Sequence, residues 1–137
     1  MTLDPDRASR AAHRDPRLVA LVFAGGTVGT AVRAALGAVA SSPATTVVIN
    51  VSGSFLLGLL VAVLLRRGPE TPRIRAVRLT LGTGLLGGYT TYSTMALDIA
   101  TLGLGAGASG ALLVALLTVV GGYLAALVGL VAGGWRG

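Results

Sequence analysis

Four long apolar stretches take up most of this 137-residue chain. Each is about as long as the 20 or so residues that a helix needs to cross the hydrocarbon core of a bilayer. Residues 18–40, 45–65, 77–101 and 111–133 are therefore predicted to be membrane spans. The sequence predicts an all-α membrane protein with a four-helix transmembrane domain at 18–137. An arginine-rich cytoplasmic tail without regular structure is predicted at 1–17.

The charged residues lie mostly between these stretches and are mostly arginine. The chain has eleven basic residues, all of them arginine, and no cysteine. Most arginines fall in two clusters, one before the first stretch and one between the second and third, while the other two loops carry no charge. The positive-inside rule then predicts a multi-pass protein of the cell membrane with both termini in the cytoplasm. We expect neither an enzyme nor a nucleic-acid partner, because the arginines mark topology and no catalytic cluster is present.

Two of the stretches carry polar residues where lipid would not satisfy them. Arg33 lies more than halfway through the first stretch. A cation at that depth is costly unless it faces a water-filled vestibule or snorkels to the helix end, and both readings stay open. In the second stretch Thr46, Asn50 and Ser54 recur at every fourth position and so share one helical face. Such a stripe forms either interhelical hydrogen bonds or a track for a polar solute.

The third stretch contains the sequence GLLGGYTTYST at residues 84–94. Each glycine lowers helix propensity by roughly 1 kcal/mol relative to alanine, and the threonines compete for backbone hydrogen bonds. The helix is therefore predicted to break near its midpoint. A discontinuous membrane helix exposes free carbonyl and amide groups that can coordinate an ion, whereas a glycine-rich packing surface would not explain the hydroxyl residues.

Three motifs in order, GGTVGTAVR at 25–33, VINVSGSFLLG at 48–58 and GLLGGYTTYST, resemble the fluoride channel family known as CrcB or Fluc. The resemblance implies an antiparallel dimer in the lipid bilayer, with fluoride pathways at the interface. It implies a structural Na⁺ held by the backbone carbonyls of Gly87 and Thr90, and a vestibule lined by Arg33. With the polar stripe and the hydroxyl run included, the predicted fluoride pathway consists of Thr46, Asn50, Ser54, Tyr92, Ser93, Thr94, Met95 and Thr118.

The sequence departs from the family pattern at two aromatic positions and in its charge bias. Where the family usually has TTFSTF, this chain has Tyr92 for the first phenylalanine and Met95 for the second. In the fourth span Val114 and Thr118 align with the family's Tyr and Ser. A homodimer needs the chain in both orientations, yet the arginines favour one. The dimer is therefore either a homodimer or, by our hypothesis, a heterodimer with an oppositely oriented paralogue.

Two other functions stay open. The chain could be a non-conducting accessory subunit of a heterodimeric fluoride channel. A small proton-coupled multidrug exporter has a similar length, but its mechanism needs a carboxylate within the membrane. Asp98, near the far end of the third stretch, is the only candidate for that role.

Overall fold

Helices make up most of the described residues in the computed structural model, which describes residues 15–105 and 107–135. The first helix, α1, spans Pro16–Val39, and the second, α2, spans Pro43–Leu65. Each has a proline in its first turn, where the missing N–H costs nothing. The side chain of Asp15 caps α1 by accepting from the N–H of Arg17 at 2.9 Å. Residues 16–17, assigned to the tail, are thus helical, and residues 1–14 lie outside the described part.

The third predicted span is longer than expected and is interrupted. Helix α3 (Pro72–Val77) continues into a π-helical segment, Arg78–Leu86, and a single turn, α4 (Gly87–Tyr89). The chain leaves the helix at Thr90 and Thr91 and resumes as α5 (Tyr92–Gly105). The helical residues extend beyond the expected span of 77–101 at both ends, and the break near the midpoint is observed. The π-helical segment was not predicted.

The last helix, α6 (Ala108–Ala132), begins slightly earlier than predicted. Three helices, α1, α2 and α6, are long and apolar enough to cross a membrane. The third span does not qualify as a single helix because it is broken, so the count of four spans stays a prediction.

Close backbone contacts at glycines hold the helices together. Helix α2 packs along α6, where a Cβ on Gly58 would meet the carbonyl of Ala126 and a Cβ on Gly129 would meet that of Phe55. Helix α1 packs in the same way along the π-helical segment, where Gly29 lies against the carbonyl of Leu85. Small residues allow such contacts, which drive helix association where lipid removes the hydrophobic force. The broken helix is itself a member of the second pair, and it also contacts both α2 and α6 of the first pair.

Candidate ion site at the broken helix

The backbone turns away from helical geometry at Thr90. Its φ of −74° and ψ of 157° are those of extended chain. The N–H and the hydroxyl of Thr90 both donate to the carbonyl of Leu86, at 3.0 and 2.9 Å. Thr90 is therefore the last residue that the preceding helix holds by hydrogen bonds, and the chain is free to change direction after it.

The side chain of Asn50 spans the break from the neighbouring helix α2. Its Nδ2 donates to the carbonyl of Thr91 at 2.9 Å, and its Oδ1 accepts from the N–H of Thr91 at 2.8 Å. In a continuous α-helix the N–H of Thr91 would donate to the carbonyl of Gly87. Because the N–H of Thr91 donates to Asn50 instead, the Gly87 carbonyl is left without its helical donor.

The carbonyl of Thr90 is also left without its helical donor, because Thr91 caps helix α5. Its Oγ1 accepts from the N–H of Thr94 at 3.2 Å, as an N-cap side chain does at the third helical residue. A continuous helix would have paired that N–H with the carbonyl of Thr90. Sequence reasoning missed Thr91 as a site residue. A threonine that follows a predicted break and precedes a helical run is a capping signal that would have found it.

Helix α1 holds the carbonyl of Gly88, which lies in the sequence between Gly87 and Thr90. The carbonyl of Gly88 accepts from Arg33 Nε at 3.1 Å and lies 3.4 Å from the hydroxyl of Thr30. The guanidinium of Arg33 is thereby directed towards the break rather than towards the helix end. Arg33 also lines a cavity, and its role in a vestibule stays a prediction. Side chains of both α1 and α2 therefore form hydrogen bonds with the backbone at the break.

Most of the predicted site residues meet at one cavity beside the break. It has a volume of about 380 Å³, and its lining includes both predicted sodium ligands and five residues of the predicted pathway: Gly87, Thr90, Asn50, Ser54, Tyr92, Met95 and Thr118. The Thr118 hydroxyl is buried and has no hydrogen-bond partner among the described residues. Tyr92 is 78% exposed, so its ring is bare in the single chain.

The remaining predicted residues lie elsewhere. Arg33, Thr46 and Thr94 line a second cavity of about 450 Å³ near the loop between α1 and α2. Asp98 also lines it, and one of its carboxylate oxygens is buried without a partner among the described residues. Ser93 is exposed, lines neither cavity, and lies 3.3 Å from the Thr91 hydroxyl. Thr91 lines both cavities and so forms part of the wall of each.

Comparison with known proteins agrees with the motifs in the sequence. A family model described as CrcB-like protein, Camphor Resistance (CrcB), matches residues 20–130. The chain belongs to the CrcB-like family. With three helices able to span a bilayer, this CrcB-like chain is a multi-pass membrane protein.

The relatives of this CrcB-like chain carry a common name. Fluoride-specific ion channel FluC 2 of Leifsonia xyli subsp. xyli (strain CTCB07) is 45% identical over 131 residues, which cover 93% of this chain and 90% of that protein. Fluoride-specific ion channel FluC of Mesorhizobium japonicum is 40% identical over 116 residues, which cover 80% of this chain and 90% of that protein. Both names describe a channel rather than an enzyme.

Proposed function

We propose that this chain is a subunit of a fluoride-specific ion channel that lets fluoride leave the cytoplasm passively. The observation that carries the proposal is the cavity at the broken helix, lined by hydroxyl and amide donors, in a chain 45% identical to a relative named as such a channel. Fluoride is small and strongly hydrated, so a pore has to replace its water with hydrogen-bond donors.

The donors around the cavity suit a small anion. Asn50 uses one of its two amide hydrogens on the Thr91 carbonyl, and the other is available. Thr118 has a buried hydroxyl without a partner among the described residues. The Tyr92 ring, whose edge carries partial positive charge, adds a further favourable contact. Together these groups support a fluoride path along the cavity rather than a purely structural polar cluster.

We propose a structural Na⁺ at the Gly87 and Thr90 carbonyls. Hard cations prefer oxygen ligands, and unwound helix carbonyls are a recurrent way of holding sodium in membrane proteins. Both helical donors for these carbonyls are taken by side chains, since Thr91 N–H pairs with Asn50 and Thr94 N–H pairs with Thr91. Two such carbonyls are too few to complete a cation shell, so a second subunit would supply the rest. The bound cation would supply positive charge close to the anion path.

The proposed assembly is an antiparallel dimer. The exposed Tyr92 ring and the open cavity beside it suit burial against a partner. The arginine bias favours insertion with both termini in the cytoplasm, and Met95 lacks the ring that the family pattern has there. Both points support a heterodimer with an oppositely oriented paralogue over a homodimer. An accessory, non-conducting role remains the second candidate, supported by Met95 alone.

Fluoride efflux from liposomes tests the proposal. The purified chain, alone and together with a candidate paralogue, is reconstituted with internal potassium fluoride, and efflux is followed with a fluoride electrode. We expect efflux that excludes chloride and is faster for the pair than for either chain alone. No efflux in any combination would refute the channel proposal, and equal efflux from the paralogue alone would make this chain accessory.

The exporter alternative is tested through Asp98. A proton-coupled exporter would lose transport in Asp98→Asn and would need a proton gradient. A passive channel would conduct down the fluoride gradient at constant pH on both sides of the membrane. Transport that stops when the pH gradient is removed would favour the exporter.

A further inference from the structure

The loop after α2, helix α3 and the first residue of the π-helical segment concentrate positive charge at one end of the bundle. Residues 66–78, here named the arginine segment, hold five arginines and one acidic residue, Glu70. Arg78 Nε donates to Glu70 at 2.8 Å and Arg75 Nε at 3.2 Å. The hydrogen bond from Arg78 and then that from Arg75 hold the pKa of Glu70 below its ordinary value, against the opposing effect of burial. Two guanidinium groups thus share one carboxylate, and positive charge remains unbalanced.

An apolar groove lies directly beneath this charged cluster. It has a volume of about 250 Å³ and is walled by Val61, Leu64 and Leu65 in the last turns of α2 and by Ile74 of α3. Glu70 and Arg78 also form part of its lining, and the Arg78 side chain is 49% exposed. Leu65 is 61% exposed, so apolar surface is open to the surroundings at the mouth of the groove. The groove therefore has an apolar floor and a rim at which Glu70 is bonded by two arginines, Arg75 and Arg78, so that the net charge of the rim is positive.

We propose that this groove binds one anionic phospholipid, with its phosphate at Arg75 and Arg78 and an acyl chain along Val61 and Leu65. Arginine binds phosphate through a planar fork of donors, and the Nε contacts to Glu70 leave the terminal nitrogens of both side chains for this purpose.

The position of the groove selects a lipid over a soluble phosphate or an acidic peptide. The end of a spanning helix lies at the membrane interface, where headgroups and acyl chains meet. Basic segments beside spanning helices attract anionic lipids through their surface charge. A soluble phosphate would leave the apolar floor unfilled, and a peptide would have to displace lipid from it. A phospholipid would place an acyl chain on the apolar floor and its phosphate at the arginines of the rim. This inference does not depend on the proposed channel function.

Native mass spectrometry of the full chain, released from mixed micelles with phosphatidylglycerol or phosphatidylcholine, tests the proposal. We expect the wild-type chain to retain phosphatidylglycerol at least tenfold more than phosphatidylcholine. The double variant Arg75→Gln/Arg78→Gln should reduce this preference to within twofold of unity. The control, Arg10→Gln/Arg14→Gln, removes the same charge from a stretch outside the described residues and should keep the preference.

A second variant covers the case in which the double variant misfolds. Leu65→Trp fills the mouth of the groove without changing any charge, and it should also abolish selective retention. Glycerophosphoglycerol, the headgroup without acyl chains, should not displace the lipid at the same concentration. The proposal is overturned if Leu65→Trp retains the lipid as the wild type does. Equal loss in the Arg10→Gln/Arg14→Gln control, or full displacement by the free headgroup, would overturn it as well.

Discussion

Replacing Asn50 with leucine is the most informative perturbation of the broken helix. The side chain is 9% exposed, and both of its hydrogen bonds go to the backbone of Thr91. Leucine has a similar size but neither accepts nor donates. An interhelical hydrogen bond within a membrane contributes about 0.6 to 1.7 kcal/mol. Losing two such bonds should therefore lower the free energy of unfolding by about 1 to 3 kcal/mol.

The same change should also alter the response of the protein to sodium. Without Asn50 Oδ1 the N–H of Thr91 can pair with the Gly87 carbonyl, as in an ordinary helix, and that carbonyl is no longer available to a cation. If Na⁺ stabilises the wild-type protein, a concentration 100 times its Kd contributes about 2.7 kcal/mol. We expect Asn50→Leu to lose this stabilisation as well as the contribution of its two hydrogen bonds.

Thermal unfolding in detergent, in sodium and in N-methylglucamine buffers, measures both effects. The matched control is Val48→Leu on the same helix, whose side chain is 64% exposed and should leave both quantities unchanged. Fluoride efflux by the same variants links stability to transport. If Asn50→Leu unfolds like the wild type and keeps a sodium-dependent shift, the argument that Asn50 frees the Gly87 carbonyl is wrong.

Three further changes test other parts of the structure. Gly29→Ala should cost about 1 to 3 kcal/mol of stability, measured by thermal unfolding, because its Cβ would meet the carbonyl of Leu85. Gly37→Ala, with no atom within 4 Å of its added Cβ, should be neutral or stabilising. Met95→Phe restores the family's ring, so fluoride efflux by the chain alone should rise, and unchanged efflux would remove Met95 as the reason for needing a paralogue. Glu70 has a lowered pKa, so its stabilising effect should be present at neutral pH and be lost as the pH falls below about 4.5, with Glu70→Gln showing no such step.

The helices that lie in uninterrupted apolar stretches could be predicted closely. Helix α2 was expected at 45–65 and is observed at Pro43–Leu65, and α6 was expected at 111–133 and is observed at Ala108–Ala132. The start of the third helix was missed because its arginines were taken as loop residues. Arginine favours helices, and Thr71 caps this one by accepting from the N–H of Ile74 at 3.2 Å.

The sequence predicted which residues belong to the candidate site better than it predicted which cavity each of them lines. Asn50, Ser54 and Thr118 were expected to line one path, and the structure brings them to one cavity. Thr46 was expected on the same path because it shares a helical face with Asn50 and Ser54, yet it lines the second cavity. Thr91 lines both cavities, and its position depends on the fold of the break. The roles of these residues in fluoride passage stay predictions.

The sequence by itself determined the class of this protein and the place of its broken helix. Apolar stretches of bilayer length specify membrane helices, and a cluster of glycine and threonine residues weakens the third helix locally, because both effects act over a few residues. Only the tertiary structure decided which carbonyls are free at the break. That choice depends on Asn50 reaching Thr91 across 41 residues of sequence. A hydrogen bond between two helices depends on how they pack, which no local pattern specifies.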